Sequence, residues 1–209
     1  FPARGVFNGF LSQMNVVECD NANSTEVSFT LTMRDSAGTL LAVRPITISA
    51  SGSTHTILND LANIANNYGT YLLELPAGQE LLGDKISCRT AFYRSARQGA
   101  PKVFEYAYVL PVENPQFGVL AGVFNSMNPS FLPTPTQNWL SIINLDANPF
   151  SAVVEVYNSG GTVAQTVNVG SLAPNGRIDV PLGHPEGQVT GIYRVVPVNG
   201  SQLYDASVI

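Results

Sequence analysis

The stretch Gly69-Thr-Tyr-Leu-Leu-Glu-Leu-Pro76 returns in the same chain as Gly191-Ile-Tyr-Arg-Val-Val-Pro197. From Gly69 to Gly191 the offset is 122 positions, and other segments recur at nearly that distance. Gly5-Val-Phe-Asn8 comes back as Gly122-Val-Phe-Asn125, at an offset of 117. Met14 to Cys19 is matched by Leu140 to Leu145, at an offset of 126, which sets Leu145 in the place of Cys19. Self-similarity at a near-fixed period means a supersecondary unit written more than once. The chain therefore reads as one β-rich unit present twice.

The strands follow from alternation. In Val27 to Arg34, Val27, Phe29, Leu31 and Met33 point one way and Ser28, Thr30, Thr32 and Arg34 the other. A period of two with one apolar face predicts a half-buried antiparallel strand. Ala152 to Tyr157 repeats it with Ala152, Val154 and Val156. Each strand runs into a turn, Asp35-Ser-Ala-Gly38 or Asn158-Ser-Gly-Gly161, where Asp or Asn leading to Gly supplies hairpin geometry. Return strands follow at Leu40 to Ile48 and Val163 to Val169, and then a second turn, Ala50-Ser-Gly52 or Ala173-Pro-Asn-Gly176. In the first unit, Leu61, Ile64 and Ala65 fall at helical spacing after Asn59 or Asp60, a pattern that predicts a helical turn with one of those two as its N-cap. The second unit has Gly183-His-Pro-Glu-Gly187 there, which excludes a helix, and it inserts Met127 to Trp139, where Pro129, Pro133 and Pro135 predict an exposed loop.

The expected fold is all-β: two tandem antiparallel β-sandwich domains, residues 1–115 and 116–209. The first carries an extra C-terminal hairpin, 86–112, that the second lacks. A sandwich without its final hairpin exposes a strand edge, which folded proteins avoid. Two explanations stand: the natural chain continues past Ile209 or its second copy has diverged, or another chain donates the strands. The first is preferred.

Hydrophobic residues make up 44% of the chain and charged residues only 12%, about half the usual share. With two lysines, Lys85 and Lys102, the polar surface has to come from Ser, Thr, Asn and Gln, a balance that suits an extracellular bacterial β-module. A net charge of −5 argues against nucleic acid, because phosphate binding needs clustered cations and Arg89, Arg94 and Arg97 are the only local group. No apolar run is long enough to span a bilayer. The start at Phe1 without Met reads as a processed product or an excised fragment, either of which suits export.

Few residues are candidates for chemistry. Alternation turns Cys19 and Cys88, the only cysteines, into one core. In an exported domain such a pair on facing strands is expected to form a disulfide; the alternative is two buried thiols. His55 and His184 have no local partners, and there is no nucleophile elbow, so catalysis is not expected. Asp20 and Asn23 in one unit, and Asp146 and Asn148 in the other, end the same strand with oxygen-rich loops. Such loops are candidates for Ca²⁺, although Asp and Asn are also ordinary turn formers. Trp139 is the candidate ligand-binding aromatic, against packing on its own loop. Tyr71 and Tyr193 match between the copies and are expected to pack in the core.

Strand, Asp35-Ser-Ala-Gly38 or Asn158-Ser-Gly-Gly161 turn, strand, and Ala173-Pro-Asn-Gly176 turn together resemble the tandem immunoglobulin-like repeats of bacterial exported and surface proteins. The resemblance covers most of both units and rests on turn residues. It implies a secreted or cell-surface structural or adhesive module, with a protein or glycan partner, but carries over no binding residue. A carbohydrate-binding module is the alternative, and an enzyme would need convergent acids or a partnered His in a cleft.

Overall fold

The structure, a computed structural model, describes residues 3–10, 13–95, 104–111, 116–126, 138–183 and 189–209. The chain divides into two compact units, Phe1–Asn114 and Pro115–Ile209. The expected loop around Pro129, Pro133 and Pro135, residues 96–103 of the expected 86–112 hairpin, and His184 lie outside the described residues.

The first unit contains β1 (Ala3–Asn8), β2 (Gln13–Asn21), β3 (Val27–Asp35), β4 (Leu40–Ile48), β5 (Ser53–Ile57), β6 (Tyr68–Glu74), β7 (Ile86–Ser95) and β8 (Phe104–Pro111). They form two four-stranded sheets, ordered β1-β6-β3-β4 and β5-β2-β7-β8, and every pairing is antiparallel. The second unit contains β9 (Leu120–Ser126), β10 (Asn138–Asn144), β11 (Phe150–Asn158), β12 (Val163–Leu172), β13 (Arg177–Leu182), β14 (Val189–Pro197) and β15 (Tyr204–Val208). Its sheets are ordered β12-β11-β14-β9 and β13-β10-β15.

Alternation puts one face of each sheet into a core. In the first unit Phe7, Phe29, Leu31, Met33 and Leu73 from one sheet meet Val17 and Cys19 from the other. In the second unit Phe150, Val154, Val156 and Val195 meet Leu140, Ile142, Val180 and Tyr204. Both units are thus sheet-on-sheet layers around an apolar centre, with the predicted turns at the strand ends. Asp35 Oδ1 accepts the Ala37 and Thr39 amides at 3.0 and 2.8 Å, and Asn158 Oδ1 accepts those of Gly160 and Thr162, both at 3.0 Å. Gly38 and Gly161 take the positive φ of each turn.

The strand order differs from the immunoglobulin pattern, in which the first strand lies beside the second and the last beside the sixth. Here β1 lies beside β6, and β7 lies beside β2. Five of the seven connections in the first unit therefore cross from one sheet to the other.

The predicted helical turn is smaller than expected and capped differently. A single 3₁₀ turn covers Leu58–Asp60, after Ile57, with no side-chain cap. Asn59 instead ties the turn to β2: its Oδ1 accepts the Asn15 amide at 2.8 Å and its Nδ2 donates to the Gln13 carbonyl at 3.0 Å. The edge of β15 at Tyr204 is occupied: the Tyr204 and Gln116 amides donate to each other's carbonyls at 2.8 and 2.7 Å. Among the described residues no helix is long and apolar enough to cross a membrane.

Candidate functional site

Cys19 and Cys88 form a disulfide. They are direct partners on neighbouring strands of one sheet, β2 and β7, with Cα atoms 4.2 Å apart, and do not bridge facing sheets. That separation belongs to a non-hydrogen-bonded antiparallel pair, where side chains come closest. When the two units are aligned on the buried asparagines that end β2 and β10, Cys19 falls against Ile142 and not Leu145. Asn21 ends β2, and its Nδ2 donates to the carbonyls of Thr25, Ile48 and Ser49 at 2.9, 3.2 and 3.0 Å. Asn144 ends β10, and its Nδ2 donates to those of Asn148 and Leu172 at 2.8 and 2.9 Å. Each Oδ1 accepts the amide two residues on, from Asn23 or Asp146, at 2.9 Å in both cases. Counting back from these two asparagines puts Ile142, paired with Ala206, where Cys19 pairs with Cys88.

The same network accounts for the oxygen-rich loops. Asn23 is buried, and its Nδ2 donates to Asn21 Oδ1 and to the Leu82 carbonyl at 2.8 and 3.0 Å. Asp20 stands apart from it, exposed on the outer face of β2. Asp146 and Asn148 do meet: Asp146 Oδ1 accepts the Asn148 amide and Nδ2 at 2.9 and 3.1 Å. The backbone hydrogen bond from Asn148 holds the Asp146 carboxyl below the usual range. These oxygens close their own turns. Among the described residues no three His, Cys, Asp or Glu side chains converge as metal ligands.

Trp139 lies near the start of β10, 38% exposed, with Pro181 as its cross-strand partner. Its backbone is fixed by two hydrogen bonds with Ile209, at 3.0 and 2.8 Å. Its backbone is thus held in the sheet while part of its surface reaches solvent.

A depression of about 540 Å³ opens at one end of the first unit, where Gly9, Gln13 and Met14 meet the segment 57–66. Gly9 makes it possible: its amide donates to the Asn67 carbonyl at 2.7 Å, and a Cβ there would run into the Ile64 carbonyl. Behind the wall sits Asn15, fully buried, whose Oδ1 accepts the Asn8 amide at 2.7 Å and whose Nδ2 donates to the Asn8 carbonyl at 2.8 Å. Asn59, Asn63, Asn66 and Asp60 supply polar groups and Ile57, Ile64 and Met14 apolar ones. Amides offer donors and acceptors together, so the lining suits neutral hydroxylated molecules; it holds no cationic side chain and no nucleophile.

Charged groups cluster on the outer face of the β5-β2-β7 sheet. Glu18 accepts from Arg89 Nε at 2.7 Å and from the Tyr93 hydroxyl at 3.1 Å, with His55 as its partner on β5. Partial burial works to raise the Glu18 pKa, but the hydrogen bonds from Arg89 and Tyr93 outweigh it and hold it below the ordinary value. In the second unit Glu155 accepts from Arg194 at 3.0 Å and from the Tyr157 hydroxyl at 2.8 Å. Both are ion pairs on sheet surfaces, with Arg89 and Arg194 well exposed.

The sequence reading missed Asn15, Asn21, Asn144 and both Glu-Arg-Tyr clusters. The signal for one pair was present: Asn21-Ala-Asn23 and Asn144-Leu-Asp146 share an amide or acid at alternate positions. No protein-family model matches this chain, and no curated protein matches it significantly.

Proposed function

We propose that the chain is a non-catalytic structural or adhesive module of a secreted or surface-attached bacterial protein, built from two copies of one sandwich. The observation that carries this reading is the Cys19–Cys88 bridge, since disulfides persist in oxidising compartments and are rare in reducing ones. Two paired features support the copy relationship: the Asn21 and Asn144 networks, and the pairs Gly5–Tyr71 and Gly122–Tyr193. The interleaving of consecutive strands between sheets departs from the immunoglobulin order, so the likeness to immunoglobulin-like repeats rests on turn chemistry. Because a sandwich does not by itself define a role, the partner class, a protein or a glycan on a surface, is part of the proposal.

A second reading, a carbohydrate-binding module, is favoured by the amide-lined depression of the first unit. Trp139, partly exposed on β10 of the second unit, is the other candidate contact. Thermal unfolding with Ca²⁺, chelator and a panel of glycans separates the readings. A ligand at 100 times its Kd adds about 2.7 kcal/mol to the folded state. A flat response to glycans leaves the structural reading with a protein partner. A glycan-specific rise abolished by Asn63→Ala or Trp139→Ala establishes the second reading instead. Two titratable thiols on denatured protein recovered from an oxidising compartment would remove the support for export.

A further inference from the structure

Asparagine followed by glycine occurs three times in the chain, at Asn8-Gly9, Asn175-Gly176 and Asn199-Gly200. The pair is chemically special. With no side chain on the second residue, nothing shields the asparagine Cγ from that residue's own backbone nitrogen. In an unfolded chain the three would react alike, so the fold decides which of them can.

Two of the pairs are held shut. Gly9 is buried, and its amide donates to the Asn67 carbonyl at 2.7 Å. Gly176 is buried too, with its amide donating to the Ala173 carbonyl at 2.9 Å. Asn175 beside it is pinned at a φ of 58°, with its own amide on the Asn144 carbonyl at 2.9 Å. Each glycine nitrogen is released only by local opening of its turn.

Asn199-Gly200 differs on each count. It lies in the turn between β14 and β15, where Asn199, Gly200 and Ser201 are all exposed. Among the described residues the Gly200 amide has no acceptor, although its carbonyl accepts the Gly118 amide at 3.1 Å. The Asn199 side chain is held in place: its Oδ1 accepts the Ser201 amide at 3.2 Å and the Ser201 hydroxyl at 2.8 Å. Those donors sit on the oxygen that gains negative charge when a nucleophile adds to Cγ, the place where hydrogen bonds lower a barrier. Gly200 has no positive φ, and a Cβ added to it meets nothing within 4 Å, so the turn itself has room for alanine.

We propose that Asn199 is a site of self-modification, at which the chain converts its own amide to an acid with water as the co-reactant. The Gly200 nitrogen loses its proton to solvent base and bonds to Asn199 Cγ. The Cγ–Nδ2 bond breaks, and Nδ2 leaves as ammonia. Water then opens the cyclic imide at either carbonyl, giving aspartate or its isomer linked through the side-chain carboxyl. Nothing is oxidised or reduced. The product adds a negative charge to the turn. The isomer also lengthens the backbone where the Gln202 amide donates to the Asn199 carbonyl at 3.2 Å, at the entry to β15. The inference stands on this turn alone, whether or not the structural reading holds.

Peptide mass spectrometry on the folded chain, sampled during incubation in mildly alkaline buffer, is the test. Acid and isomer should accumulate at Asn199 while Asn8 and Asn175 remain amides, and in denaturant the three should convert at similar rates. Gly200→Ala sets a methyl group beside the attacking nitrogen, and Ser201→Ala removes the hydroxyl donor. Each should slow conversion severalfold, with far-UV circular dichroism unchanged. The comparison among the three asparagines needs no variant and decides the matter if one fails to fold. An Asn199 that stays an amide, an Asn8 or Asn175 that converts as fast in the folded chain, or a rate that either folded variant leaves unchanged overturns the proposal.

Discussion

Gly5 lies directly opposite Tyr71 across β1 and β6, and a Cβ on Gly5 would occupy the space of the Tyr71 phenol. Gly122 and Tyr193 repeat the relationship across β9 and β14. The glycine lets the ring lie across its neighbour strand, and in the first unit the buried hydroxyl reaches Thr90 Oγ1 on the other sheet at 2.6 Å. This contact ties the two layers together at a site where an alanine has no room. Gly5→Ala and Gly122→Ala are each expected to destabilise the chain by about 1–3 kcal/mol, the usual cost of overpacking. Urea denaturation checks it; a loss under about 0.5 kcal/mol, the scale of ordinary surface changes, would show that the ring can move aside.

The disulfide predicts a contrast with the second unit. Cys19→Ala with Cys88→Ala removes a bridge between positions 69 apart and should cost about 2–4 kcal/mol. Cys19→Ile with Cys88→Ala installs the Ile142–Ala206 pair that the second unit uses in the same place, and should recover part of that loss by filling the space. Denaturant midpoints of the three proteins, oxidised, give the comparison. Equal midpoints for the two double variants would show that packing at this site contributes little.

Which strands lie side by side was legible only in part, and the reason is physical. Alternation correctly turned Cys19 and Cys88 inward, but the core-facing side is shared by both sheets, so it could not tell neighbours from opposing strands. Alignment on Asn21 and Asn144 differs by three residues from the one that sets Leu145 against Cys19, an odd slip that exchanges the faces of a strand. Apolar residues on both faces of β10 hid it: Ile142 points into the core, and Ile143, on the outer side, is equally buried. The turns at Gly38 and Gly161 were read correctly because their chemistry is local. Gln116 against Tyr204 was invisible, as nothing local marks a single long-range bridge.

Asn21→Ala and Asn144→Ala test the networks at the ends of β2 and β10. Each removes a buried amide and leaves backbone carbonyls, three for Asn21 and two for Asn144, without that donor. A buried polar group left unsatisfied costs about 1–3 kcal/mol, so each variant should lose at least that much, Asn21→Ala the more. Urea denaturation reads the loss, and hydrogen exchange at 22–25 and 145–148 should rise with it. Wild-type stability in either variant would mean water replaces the amide.

Two buried tyrosines are expected to make stability fall at high pH. Burial pushes the Tyr71 phenol far above its ordinary value, against the hydrogen bond with Thr90, and raises Tyr204 to about 12. Both folded pKa values exceed the unfolded value near 10, so the folded chain holds these protons more tightly. Their contribution is complete below about pH 10 and is lost as pH rises toward and past the folded values, because the unfolded chain is first to release the protons. Absorbance at 295 nm should therefore show the Tyr71 and Tyr204 phenols still protonated near pH 11 while the chain is folded. Tyr71→Phe removes one of these protons at the expense of the Thr90 hydrogen bond, so it should lower stability at pH 7 while flattening the alkaline decline. A Tyr71→Phe protein whose stability falls as steeply as the unmodified chain between pH 10 and 12 would place the alkaline sensitivity elsewhere.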